Sequence, residues 1–213
     1  MLSKGPMTFL PRFSRTGALP AAALAGLVAL APGSADPHPH VWIDTVVKPQ
    51  FVGGMVTAFE IDWTFDDLYS FLVIDDFDSN KNGTLDPDEL AALAKASRDT
   101  LGLTDYFTRI TLDGERLRNL NFENLTATSF LERISYHFVI KLEAPVDPRT
   151  QNLTFATYDE NYYIEILLNE QDPVRFEGDW PRACRYEIGR DEVNRIYFDL
   201  VAPTIVTFPC PTS

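Results

Sequence analysis

From His38 to Phe51 apolar and polar residues alternate with the two-residue period of a strand, and after Gly53-Gly54 the alternation returns from Met55 to Thr64. Two such runs joined by a Gly-Gly step predict a hairpin. Strict alternation sets Val56, Ala58, Glu60 and Asp62 on one face of the returning strand, with Thr57, Phe59, Ile61 and Trp63 on the other. The period then lengthens. Phe65 to Phe77 places Leu68, Phe71, Leu72 and Phe77 at mostly helical spacing, and Leu90, Leu93, Ala94, Ser97 and Leu101 follow as one face of a second helix. Gly102 is the expected stop.

The two-residue period resumes at Thr108 to Leu112, with Asp113-Gly114 as a turn. Residues 120–133 and 134–143 read as a second antiparallel pair, in which Ile134, Tyr136, Phe138, Ile140 and Leu142 make one apolar face. Pro145 to Pro148 breaks the sheet. Leu153 to Leu168 is rich in aromatics around a turn at Asp159-Glu160-Asn161. A β segment around Arg182 to Ile188 and a strand-like run from Ile196 to Phe208 complete the chain. The expected class is α+β: a mainly antiparallel, sandwich-like β domain with residues 65–102 inserted as a helix–loop–helix.

Between the two helices lies DSNKNGTLDPDE, Asp78 to Glu89, which fits the EF-hand calcium-loop pattern at each specified position. Asp78, Asn80 and Asn82 would offer side-chain oxygens, Thr84 its carbonyl, Asp86 an oxygen directly or through water, and Glu89 a bidentate carboxylate. Gly83 stands where the chain must turn sharply. Calcium is a hard cation and this set is all oxygen. The pattern occurs once, so Leu85 lacks the partner loop usual for paired sites. With two neutral Asn ligands the expected affinity is weak, a Kd on the order of 10⁻⁴ to 10⁻³ M, which suits a structural ion rather than a sensor. The same residues also read as a solvated turn leading into a helix, with Asp86 as N-cap, Pro87 in the first turn and Glu89 closing a capping box.

Composition places this domain in a compartment. The chain has 213 residues, 45% of them apolar, enough for one sizeable core. Lys4, Arg12 and Arg15, the apolar run Ala18 to Ala31 and the small residues Gly33-Ser34-Ala35 predict a secretory signal over residues 1–35 and a single mature domain over 36–213. The run is short and broken by Pro20 and Gly26, so no membrane insertion is expected. Cleavage takes away three basic groups and no acidic one, lowering the net charge from −13 to −16. Such a surface disfavours nucleic acid and anionic membranes and favours cations. Cys184 and Cys210 would meet an oxidising compartment and form a disulfide, the alternative being a pair of buried thiols.

The chain has three histidines. His38 and His40, two apart on an extended segment, can face one ion, with Asp44 further along the same side. His137, on the polar face of its strand, is the third imidazole. Together they would suit zinc, nickel, cobalt or copper. With cleavage after Ala35, an amino-terminal copper or nickel clip at Asp36-Pro37-His38 is not expected, since it needs a deprotonated amide at position two and Pro37 has no N–H. The pair also reads as a solvent-facing N-terminal arm.

The run His38 to Asp44, HPHVWID, resembles the opening signature of a bacterial family of exported proteins of unknown function, labelled as the periplasmic component of an uncharacterised ABC-type transport system. The likeness continues through Trp63-Thr64-Phe65-Asp66, Tyr69-Ser70, Asp76-Phe77-Asp78 to Glu89, Asp105-Tyr106-Phe107, Tyr158-Asp159 and Tyr162-Tyr163-Ile164. Members often accompany nickel/cobalt-type permeases or zinc-responsive genes. The resemblance therefore implies a periplasmic, metal-binding accessory protein whose partner is a membrane metal permease or ABC-type transporter component. It carries over His38, His40 and Asp44, and it matches no motif at His137. The other expectation is a calcium-stabilised interaction module with no transition-metal role, for which Tyr158 to Tyr163 is a contact surface. An enzyme is not expected: no nucleophile with a nearby base, Gly-rich phosphate loop or His-Glu zinc-hydrolase motif is present.

Overall fold

The computed structural model describes residues 39–211. The predicted hairpin forms from β1 (Val41–Val52) and β2 (Met55–Phe65), closed by Gly53 and Gly54 at φ 60° and 75°. This is the conformation a two-residue hairpin turn demands of both residues. α1 (Asp67–Phe77) and α2 (Pro87–Leu101) follow, then a 3₁₀ turn over Gly102–Phe107. The remaining strands are β3 (Thr108–Leu112), β4 (Glu115–Arg116), β5 (Asn121–Phe130), β6 (Arg133–Val146), β7 (Leu153–Thr157), β8 (Ile164–Leu168), β9 (Glu177–Gly178), β10 (Glu187–Arg190) and β11 (Thr204–Thr207).

The strands form two sheets. One has the order β5-β6-β2-β1-β8, with β9 also on β1; the other has the order β10-β11-β7-β3-β4. Phe59 on β2 lies 5.3 Å from Phe155 on β7 and 5.6 Å from Phe208, ring centre to ring centre, so the apolar faces of the two sheets meet in one core. The class is a β-rich α+β fold, as expected. The first sheet is mixed rather than wholly antiparallel, because β8 and β9 both run parallel to β1 along its free edge. The turn at Asp159 thus hands the chain from the second sheet to the first. Buried Asp159 holds that turn, its carboxylate accepting the N–H groups of Asn161, Tyr163 and Ile164.

Several elements depart from the periodicity. Val56 is buried beside Phe59 although strict alternation separates them, because a bulge between Val56 and Ala58 re-aims the strand. β6 continues through Pro145 to Val146, where the break was expected. Val56 pairs with Val146 and Ala58 with Lys141, so Pro145 sits in the stretch left out of the ladder and needs no N–H. α2 ends at Leu101 with Gly102 at its C-cap, as expected, but Gly102 keeps a helical φ of −57° and the chain runs on into the 3₁₀ turn. The chain reverses at Asp105, Tyr106 and Phe107, all at positive φ. The run Ile196 to Phe208 is not one strand: Tyr197, Phe198 and Asp199 fold back at positive φ, and only Thr204–Thr207 joins the sheet.

The helices divide the expectation. α2 buries Leu93 and Ala94 and sets Ser97 Oγ 2.6 Å from the Tyr136 hydroxyl, so its predicted stripe faces the sheet. α1 does the reverse. Ser70 and Val73 are its buried residues, whereas Leu68, Phe71 and Leu72 point to solvent; of the expected set, Phe77 packs against the core.

Candidate metal centre

α1 is capped by Asp66, whose carboxylate accepts the N–H of Tyr69 at 2.9 Å and that of Trp42 on β1 at 2.8 Å. The helix therefore leaves the sheet at a defined point and delivers Asp78 at its C-terminus. Asp78 is buried, with Oδ1 accepting Asn82 N–H at 3.2 Å and Oδ2 accepting Gly83 N–H at 2.7 Å. Gly83 has φ +85°, which penalises any residue with a Cβ, and open space surrounds it. Asn80 Oδ1 accepts Asn82 N–H at 3.0 Å, and Asn82 Oδ1 accepts the N–H and hydroxyl of Thr84, both at 2.9 Å. The amide nitrogens of Asn80 and Asn82 both donate to Asp86 Oδ2.

The loop then passes into α2. Leu85, without a second loop to pair with, is buried in the hydrophobic core. Asp86 and Glu89 form the capping box, with Glu89 Oε2 accepting Asp86 N–H at 2.9 Å. Glu89 Oε1 accepts both the hydroxyl and the N–H of Ser79 at the far end of the loop. Those bonds, the Ser79 hydroxyl first, hold the Glu89 carboxyl below its ordinary range. The helix-cap reading of Glu89 is met, and the same carboxylate ties Ser79 to the start of α2. The loop's one basic residue, Lys81, turns away to the Asp75 carbonyl at 2.9 Å. Among the described residues no Lys, Arg or His forms an ion pair with Asp78, Asp86 or Glu89. The donor set fits a hard cation. In the geometry described its oxygens are occupied by N–H and O–H donors, and among the described residues no three His, Cys, Asp or Glu side chains gather as a metal cluster.

The histidines are dispersed. His38 lies outside the described residues. His40 is exposed, its ring tilted against Tyr163 at 4.7 Å, and its backbone N–H donates to the Tyr163 carbonyl. Asp44 is engaged by the Asn169 amide, at 2.9 and 3.1 Å to its two oxygens. His137 belongs to a different place. Its Nδ1 is 2.7 Å from Asp62 Oδ1 and its Nε2 is 3.2 Å from Thr128 Oγ1. Asp62 faces Val46 on β1, six residues from His40, or about 20 Å along a strand. The structure does not bring His137 to His40.

Periodicity missed the row to which His137 belongs. Lys48 reaches Glu60 at 2.8 Å and Asp62 at 2.6 Å, and Asp62 in turn holds His137. Burial pushes the Asp62 carboxyl up, but the bonds to His137 and Lys48 prevail and hold it below its ordinary value. Burial likewise lowers the Lys48 ammonium, and Asp62 and Glu60 together raise it further. Alternation put Glu60 and Asp62 on one face; cross-strand register is what assembles the row. The late cysteines form a disulfide, Cys184–Cys210, with Cα atoms 4.0 Å apart. Such a bond persists in oxidising compartments outside the cytosol. Among the described residues no helix is long and apolar enough to cross a membrane.

Residues 23–199 match a family described as protein of unknown function, DUF1007. The chain belongs to that family. It is also similar to a "23 kDa calcium-binding protein" of Tetrahymena thermophila, 40% identical over 62 residues, which are 28% of this chain and 29% of that protein. The chain thus spans under a third of that relative's length. An uncharacterised protein of Haemophilus influenzae is 23% identical over 153 residues, covering 66% of this chain and 68% of its own. No solved structure matches the chain.

Proposed function

We propose that the protein is an exported calcium-binding module in which Asp78, Asn80, Asn82, Thr84, Asp86 and Glu89 hold one structural calcium ion. The carrying observation is the loop's backbone: Gly83 already turns at φ +85°, and the buried Asp78 carboxylate draws the N–H groups of Asn82 and Gly83 around itself. The similarity to a protein described as calcium-binding agrees with this reading. Calcium would neutralise a loop whose carboxylates pair with no Lys or Arg among the described residues, stapling the end of α1 to the start of α2. The module acts by binding and not by catalysis. Native mass spectrometry of the untagged, chelator-stripped mature chain is the test. One calcium bound by the wild type and none by Glu89→Gln supports the site; equal binding by both removes it.

A second reading adds a transition-metal role beside a membrane metal permease in the periplasm. It rests on His38, the exposed His40, and the resemblance carried by HPHVWID. Asp44 and His137 already have protein partners, so the His38/His40 pair is where zinc, nickel or cobalt would be captured. Titration of the calcium-loaded chain with each ion, repeated on His38→Ala/His40→Ala, separates the readings. A second ion lost in that variant supports the accessory role, and unchanged binding leaves a calcium-stapled interaction module.

A further inference from the structure

The helix DLYSFLVIDDF is apolar on nearly every side, and the sheet uses only part of it. Ser70 and Val73 face inward, while Leu68, Phe71 and Leu72 stand 63%, 64% and 53% exposed. Positions i, i+3 and i+4 make one stripe along a helix, here directed at water. The neighbouring β5–β6 turn continues it. Ser70 Oγ accepts Ile134 N–H at 3.0 Å and Asp67 pairs with Arg133 at 3.0 Å, which sets the turn against α1. Phe71, Ile74 and Leu131 line one 490 Å³ depression together with Asp67, Asp75 and Glu132, and Asp78 and Gly83 of the loop after α1 complete its wall.

The turn itself is unusual. Leu131 and Glu132 adopt φ 50° and 62°, the conformation that Gly53-Gly54 and Asp113-Gly114 adopt in two other tight hairpins with glycine or aspartate. A leucine held there, 79% exposed, is strained and unburied at once. Neither the turn nor the core calls for it. Exposed apolar side chains gathered beside polar ones mark an interaction surface.

We propose that the outer face of α1 and the β5–β6 turn dock a basic amphipathic segment of a partner protein. Its apolar side chains would lie against Leu68, Phe71, Leu72 and Leu131, with Lys or Arg side chains reaching Asp75 and Glu132. Charge selects this occupant. Glu132 has no ion pair among the described residues, Asp75 has only Lys81 at 3.9 Å, and the chain carries a net charge of −13. A second copy would bring the same acidic surface against itself, and an anionic lipid surface would be repelled.

The test is fluorescence anisotropy of a labelled Leu/Lys peptide with helical amphipathic spacing, titrated with the mature chain. Saturable binding is expected, weakened by salt and reduced about tenfold in Phe71→Ser/Leu131→Ser, which keeps every charge. A counterpart peptide with Glu at each Lys position should not bind. Equal binding by wild type and double variant would reduce the effect to bulk charge attraction and overturn the proposal. So would a dimer in light scattering that the double variant abolishes, or binding to anionic vesicles that it abolishes. A second variant, Leu131→Asn/Glu132→Gly, installs the residues the turn prefers. It should raise the melting temperature while weakening peptide binding, and unchanged peptide binding would also refute the proposal.

Discussion

Glu89 joins the two ends of the Asp78 to Glu89 loop through one carboxylate, which bonds Ser79 and Asp86. Calcium at about a hundred times its dissociation constant should add about 2.7 kcal/mol of stability to the wild type. For a chain of this size that raises the melting point by roughly 5–11 °C. Glu89→Gln should abolish the rise, which differential scanning calorimetry with calcium and with chelator would read. Asp62 makes a second residue-scale prediction. Its folded pKa lies below the ordinary 3.8, so the stability it contributes is present above pH 3.8 and disappears as pH falls through the folded value. Asp62→Asn should cost about 1–2 kcal/mol at pH 6 by leaving Lys48 and His137 short of an acceptor. It should also flatten the fall in stability below pH 3.8, measured by urea unfolding.

At the scale of elements, β9 depends on a glycine. Gly178 has φ +82°, and a Cβ there would stand 2.1 Å from the Phe51 carbonyl oxygen. Gly178→Ala should therefore detach β9 from β1, with at least the roughly 1–3 kcal/mol of a strained backbone. Raised hydrogen exchange at Gln50 to Val52, with the rest of β1 protected, would show it. α2 and α1 make an instructive contrast in what a sequence displays. Leu93, Ala94 and Ser97 alternate with charged residues, so the buried face of α2 was legible. α1 has apolar residues around most of its circumference, so period alone could not select a face. Ser70 made the choice, through a buried bond to Ile134 that no local pattern announces.

At the scale of the whole molecule, the Cys184–Cys210 disulfide closes a loop with a sequence separation of 26 that includes β10 and β11. Constraining the unfolded chain over such a loop is worth about 3 kcal/mol. Reduction should therefore lower the melting temperature by roughly 6–12 °C, and β11, which bridges β7 and β10, should lose exchange protection first. An unchanged melting curve in reductant would show that the sheet edge holds without the bond.

The sequence by itself determined what depends on neighbours in the chain. It specified the hairpin at Gly53-Gly54, the turn at Asp113-Gly114, the apolar face of β6, the stripe of α2, and the loop whose oxygen-bearing side chains and glycine lie within twelve successive positions. Each rests on local dihedral preference or on a period counted along one segment. Tertiary structure alone decided the rest. Register across β1, β2 and β6 carried His137 to Asp62 and away from His40. The parallel seating of β8 on β1, the bulge that buries Val56, and the outward stripe of α1 arise the same way. Each is a contact between segments far apart in sequence. Its energy is set by which faces meet in the common core, and no single segment's pattern contains that information.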